Sequence, residues 1–117
     1  MTKKQEEGEI KKQIRNVLRM LHIPHRNIVQ SAFSDHGISD LIATVPPTGR
    51  SLYIEVKAPG YRMNTKTHQE QVKFLNEMQG AGALIMVATR PHDVITYLAV
   101  NGYAPAQNMQ VQVGANR

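Results

Sequence analysis

Between Gly37 and Lys57 the chain has little choice but to turn back on itself. Two β-rich segments, Leu41-Ile42-Ala43-Thr44-Val45 and Leu52-Tyr53-Ile54-Glu55-Val56-Lys57, flank the turn sequence Pro46-Pro47-Thr48-Gly49, and that pattern predicts a hairpin. Side chains alternate along a strand, so Glu55 and Lys57 share one face while Ile54 and Val56 share the other. Pairing across the turn brings Asp40, at the start of the first strand, close to the Glu55/Lys57 end of the second. Two carboxylates that close repel unless a proton or a cation lies between them, and all-oxygen ligation suits a hard ion such as Mg²⁺ or Mn²⁺. A lone Glu-x-Lys on a half-exposed strand also describes a surface salt bridge. Preceded by Gly37-x-x-Asp40, a strand and a turn, the pair carries more weight.

Upstream, Ile10, Ile14, Val17, Leu18 and Leu21 recur at helical spacing from Lys4 to about His22, with Lys11, Lys12, Arg15 and Arg19 on the other side, which predicts an amphipathic helix ended by Pro24. Glu7 falls within the apolar stripe and Glu9 well off it, so the wheel favours Glu7 as the acid carried towards the hairpin. The alternative is that Glu6, Glu7 and Glu9 only favour the helix N-terminus through its dipole. A short β segment is expected at Ile28-Val29-Gln30, then a loop through Ser34-Asp35-His36-Gly37. His36 there reads as a solvated loop residue rather than a ligand.

Downstream, the loop from Ala58 to Asn64 carries Arg62 close to the Glu-x-Lys strand end. A second helix is expected from about Thr67 to Gln79, patterned by Val72, Leu75 and Met78 with Phe74 in support, and closed by Gly80-Ala81-Gly82. The run Ala83 to Ala88 has the length and continuous apolarity of a strand buried on both faces, parallel to the Glu-x-Lys strand through a β-α-β crossover. Pro91-His92-Asp93 opens a last helix through about Val100. Residues 1–103 thus read as one domain, and residues 104–117, rich in Gln, Asn, Ala and Gly, as a weakly ordered or dimer-contacting tail.

With 117 residues there is no room for a separate recognition module. Fourteen Lys and Arg against nine Asp and Glu leave a net charge of +5, which points to a polyanionic partner, most simply nucleic acid. The absence of cysteine excludes disulfides, thiolate metal sites and cysteine nucleophiles. With no apolar signal core and no run near the roughly 18 apolar residues of a membrane span, a cytoplasmic protein without membrane contact is expected.

Gly37-x-x-Asp40, Ile54-Glu55-Val56-Lys57-Ala58-Pro59-Gly60 and Gln71-x-x-Phe74-Leu75 together resemble a stand-alone, phage-type VRR-NUC domain of the PD-(D/E)xK nuclease superfamily, over about Glu7 to Leu98. Ser39 stands where the family usually has proline, and the Val-Arg-Arg that names it is absent; neither change removes an acidic or basic site position. The resemblance implies an α/β, restriction-endonuclease-like core, a mixed sheet flanked by helices in the order α-β-β-β-α-β-α. It also implies DNA hydrolysis with one or two Mg²⁺ or Mn²⁺ ions held by Asp40, Glu55 and the carbonyl of Val56, with Glu7 directly or through water. Lys57 would act on the attacking water or on transition-state charge. Gln71 would hold a phosphate, the water or Lys57, unless it is only a polar residue near a helix start. Gly37, Arg62 and Lys66 are the candidates for contact with nucleic acid. Viral relatives of this kind resemble junction resolvases acting as homodimers on branched DNA, in phage-infected or other bacterial cytoplasm. An exonuclease of the same superfamily and a non-catalytic nucleic-acid-binding module are the other readings.

Overall fold

The computed structural model describes residues 1–28, 40–61 and 66–103, apart from the side chains of Lys66, Thr67, His68 and Gln71. The expected elements at Val29-Gln30 and Ser34–Gly37, the candidates Gly37 and Arg62, and the tail 104–117 lie outside the described residues. Helix α1 (Lys3–Met20) is followed by β1 (His25–Asn27), β2 (Leu41–Val45), β3 (Arg50–Val56), α2 (Lys66–Gly80), β4 (Leu84–Ala88) and α3 (Pro91–Val100). This is the α-β-β-β-α-β-α order that the sequence predicts.

The four strands form one mixed sheet in the order β1-β2-β3-β4. β2 pairs antiparallel with both β1 and β3, and β4 returns parallel to β3 after α2, as a helical crossover requires. Leu41, Ala43 and Val45 of β2, Leu52, Ile54 and Val56 of β3, and Leu84, Met86 and Ala88 of β4 alternate onto one face. There they pack with Ile10, Ile14 and Leu18 of α1 and Val94 and Leu98 of α3 into a single core. The other face meets α2, where Tyr53 and Phe74 make an edge-to-face ring contact at 5.8 Å.

Both helices of the inner layer are fixed by local chemistry. Thr2 caps α1 through a reciprocal pair, its Oγ1 accepting from the Gln5 N–H at 3.1 Å while Gln5 Oε1 accepts from the Thr2 N–H at 2.8 Å. Asp93 closes the start of α3, Oδ2 accepting from the N–H groups of Thr89 and Arg90, with Pro91 in the first turn, where its missing N–H is not needed. Among the described residues no helix is long and apolar enough to cross a membrane.

Four expectations need correction. The first helix stops at Met20 rather than at about His22, and it does so ahead of Pro24: His22 takes a positive φ of 58° and the Ile23 N–H donates back to the Leu18 carbonyl at 2.8 Å, a turn that ends a helix whatever follows it. The first strand begins at His25 instead of Ile28, because His25–Asn27 pairs with Leu41–Ala43. β4 is buried on one face and only half-buried on the other, since α2 does not cover Ile85 and Val87 completely. Val72 is exposed rather than part of the packed stripe, and the apolar contact of α2 falls on Leu75, Met78 and Phe74.

Candidate functional site

The site is built where β2 begins and β3 ends. The register Leu41↔Ile54 sets Asp40 across from Glu55, a consequence of the turn length and the alternation of both strands. Asp40 is held from both sides: its carbonyl accepts from the Ile28 N–H at 2.8 Å, and its Oδ2 accepts from the Val56 N–H at 2.7 Å. Its other oxygen, Oδ1, lies 3.5 Å from Lys11 Nζ. At the far side of the strand end the Lys57 N–H donates to the Ala88 carbonyl at 3.0 Å, so the lysine leaves a backbone pinned to β4. Glu7 reaches in from α1, Oε2 accepting from the Ala58 N–H in a long contact of 3.4 Å.

Glu55 is the one buried charged side chain among the described residues, 3% exposed, and its Oε2 has no hydrogen-bond partner among them. Burial pushes its carboxyl up to about 9 from an ordinary 4.5; the hydrogen bond to the Asp40 carboxyl and the Asp40 charge add to the rise, the Lys57 ammonium opposes it, and the Glu7 charge adds a little. Such a carboxyl is a proton-holding or cation-holding group, not half of a solvated salt bridge. The surface-pair interpretation of Glu55 and Lys57 fails on this burial alone.

Asp40, Glu55, Lys57 and Glu7 therefore meet at one end of the sheet. Val56 contributes its main chain there: in a strand a residue's N–H and C=O point to the same side, and the Val56 N–H points at Asp40. Lys66 and Gln71 belong to α2; their side chains lie outside the description. Lys11 was not among the expected site residues, yet it forms the ion pair with Asp40. Its signal was available, because Lys11 follows Glu7 by four residues and so lies one turn further along the same helical ridge.

A mixed sheet whose paired carboxylates and lysine gather at one end, with helices on both faces, defines the restriction-endonuclease-like class of nuclease fold. The family model of the VRR-NUC domain matches residues 4–90, and the chain belongs to that family. Membership implies a nuclease-type function with DNA as substrate. A solved structure described as a VRR_NUC domain superposes with a TM-score of 0.64 at 21% identity, covering 84% of this chain and 98% of that one; at that identity the likeness establishes the fold. No curated protein matches the chain in sequence.

Nucleases of this family typically depend on a divalent metal, and the donor set fits one. It is all oxygen, and the buried Glu55 Oε2 beside Asp40 has no hydrogen-bond partner among the described residues. Among the described residues no three acidic or imidazole side chains converge to enclose an ion on their own. Asp40, Glu55 and the main chain at Val56 offer oxygen donors of the kind a hard divalent ion takes.

Proposed function

We propose that the protein is a Mg²⁺- or Mn²⁺-dependent endonuclease that hydrolyses phosphodiester bonds in DNA, selecting branched structures and working as a homodimer. The observation that carries this reading is the buried Glu55 carboxyl set against Asp40, with Lys57 two residues on along the strand. Asp40, Glu55 and the Val56 carbonyl would hold the ion, with Glu7 directly or through water. When bound, such an ion lowers the pKa of a water and offsets charge gathering on the phosphate.

The protein's own groups do the remainder. Asp40 is oriented by the Val56 N–H, so its geometry is set before substrate arrives. Lys57 Nζ, on a main chain anchored to Ala88, positions the attacking water and meets the developing negative charge. Gln71, at the sixth position of α2, would hold the water or a phosphate, and Gly37, Arg62 and Lys66 would contact the DNA backbone. A two-fold pair of such small domains supplies two sites for two strands, which is what paired incision at a junction needs.

The test compares a labelled four-way junction, a linear duplex and a closed circular plasmid, each with Mg²⁺, Mn²⁺, Ca²⁺ or EDTA. Junction cleavage with Mg²⁺ or Mn²⁺, DNA binding without cleavage in Ca²⁺, and no reaction in EDTA are expected. Undiminished cleavage in EDTA would overturn the assignment. Failure to nick the plasmid while trimming linear duplex would favour an exonuclease. Sedimentation showing only monomer, with and without DNA, would remove the paired-incision argument.

A further inference from the structure

Helix α1 carries a charged ridge that starts with Glu7 and Lys11 at the site and continues in cations that the chemistry of the site does not use. Lys3, Glu7, Lys11, Arg15 and Arg19 follow one another every four residues, the interval at which side chains line up along a helix. The ridge begins at the site. Lys3 Nζ lies beside Gly60, Glu7 meets the Ala58 N–H and Lys11 pairs with Asp40. Beyond that it climbs away, Arg15 Nε reaching His25 Nε2 at 3.4 Å and Arg19 donating to Asn16 Oδ1 at 2.8 Å.

Together with Lys12 and Gly8, the cations Lys11, Arg15 and Arg19 line a shallow groove of about 160 Å³. Among the described residues Lys12, Arg15 and Arg19 form no ion pair. The two arginines are thus held in position by an imidazole and an amide rather than by carboxylates. Gly8 adds a separate observation. A Cβ at that position would meet nothing within 4 Å, so packing does not call for glycine, and glycine within a helix is destabilising relative to alanine. What it leaves is exposed main chain among the residues that line a cationic groove, open to close approach. The opposite side of the helix, Ile10, Ile14 and Leu18, is sunk in the core, so α1 has no apolar face free to enter a lipid surface.

We propose that this groove grips the phosphate backbone of the duplex arm flanking the cleaved bond; the inference rests on the nuclease reading above. From Lys11, next to Asp40, to Arg19 is eight residues, or about 12 Å at 1.5 Å per residue. That length is the axial rise of about three to four nucleotides of one strand. The ridge therefore measures out the first few phosphates on one side of the site.

The experiment uses the full chain in Ca²⁺ buffer, a labelled four-way junction and fluorescence anisotropy across a salt series. Lys12→Gln/Arg19→Gln changes two exposed side chains, and its fold is checked by circular dichroism and thermal midpoint. Neutralising two phosphate contacts should flatten the plot of log affinity against log salt by about 2 and weaken binding roughly tenfold or more at low salt. Arg50→Gln, at the other end of β3 from Glu55, should keep the wild-type slope. A folded double variant with the wild-type slope would overturn the groove and leave the nuclease reading standing. A wild-type protein that binds no DNA at any salt would overturn both.

Discussion

Glu55→Gln in the metal-free protein tests the physical core of the site without any measurement of activity. Folding raises the Glu55 carboxyl from 4.5 to about 9, chiefly by burial and then by Asp40. The folded state holds this proton more tightly than the unfolded chain, so folding takes up a proton between those two values. The sign follows: stability is full below the unfolded value, falls as pH rises through it, and stops falling above the folded one. At about pH 7.5 the unfolded carboxyl lies three units past its midpoint and the folded one is still protonated, so the cost approaches ~4 kcal/mol at 1.36 kcal/mol per unit. Glutamine keeps the volume, cannot ionise, and can donate its amide to Asp40. Urea denaturation in EDTA between about pH 5 and about pH 8.5 should show the wild type losing stability relative to the variant as pH rises, by 1 to ~4 kcal/mol. Histidines and termini are common to both proteins and cancel in the difference. Adding Mg²⁺ at the alkaline end should restore the wild type and do little for the variant. Parallel curves, with no divergence across the series, would refute the claim that Glu55 is a buried carboxyl short of a cation.

Lys57→Ala should lower the cleavage rate by roughly 10² to 10⁴-fold, the range for losing one acid-base or electrostatic group, while leaving metal affinity by calorimetry nearly intact; Glu55→Ala should lower that affinity sharply, and equal effects on metal binding would remove the distinction. Asp40→Asn keeps an oxygen to accept from the Val56 N–H, so circular dichroism should show a folded protein that no longer cleaves DNA yet binds it as well or better, and a variant that fails to fold would make Asp40 structural. Tyr97→Phe strips the hydroxyl that accepts from the part-buried Ile85 N–H at 3.0 Å and should lower unfolding free energy by about 1 to 3 kcal/mol; an unchanged denaturation midpoint would mean that water replaces it.

Much of the fold can be read from the chain because local chemistry and global pattern agree in it. The Pro46-Pro47-Thr48-Gly49 turn and the alternation on either side specify the β2–β3 register, and with it the meeting of Asp40 and Glu55. Glu7 rather than Glu9 follows from helical spacing, and the structure has Glu7 half-buried and Glu9 exposed. The boundaries differ from expectation where the chain carries no clear local signal for them. His22 ends α1 in a left-handed turn that glycine would usually mark, and β1 is too short and too exposed to show a pattern of its own; it is a strand because β2 offers it a ladder.

The sequence by itself determined which groups are present and in what order along each element: the hairpin, the strand that carries Glu55 and Lys57, the apolar stripe of α1 and the parallel return of β4. These follow from turn chemistry and from periods of 2 and 3.6, which act over neighbours in the chain. Only the tertiary structure decided that Glu55 lies 3% exposed with an unpartnered oxygen and that Lys11 pairs with Asp40 across 29 residues of chain. It also decided that the cations of α1 line a groove leading away from the site. Burial and charge pairing depend on which surfaces are pressed together, and that is a property of the packed layers rather than of any one segment.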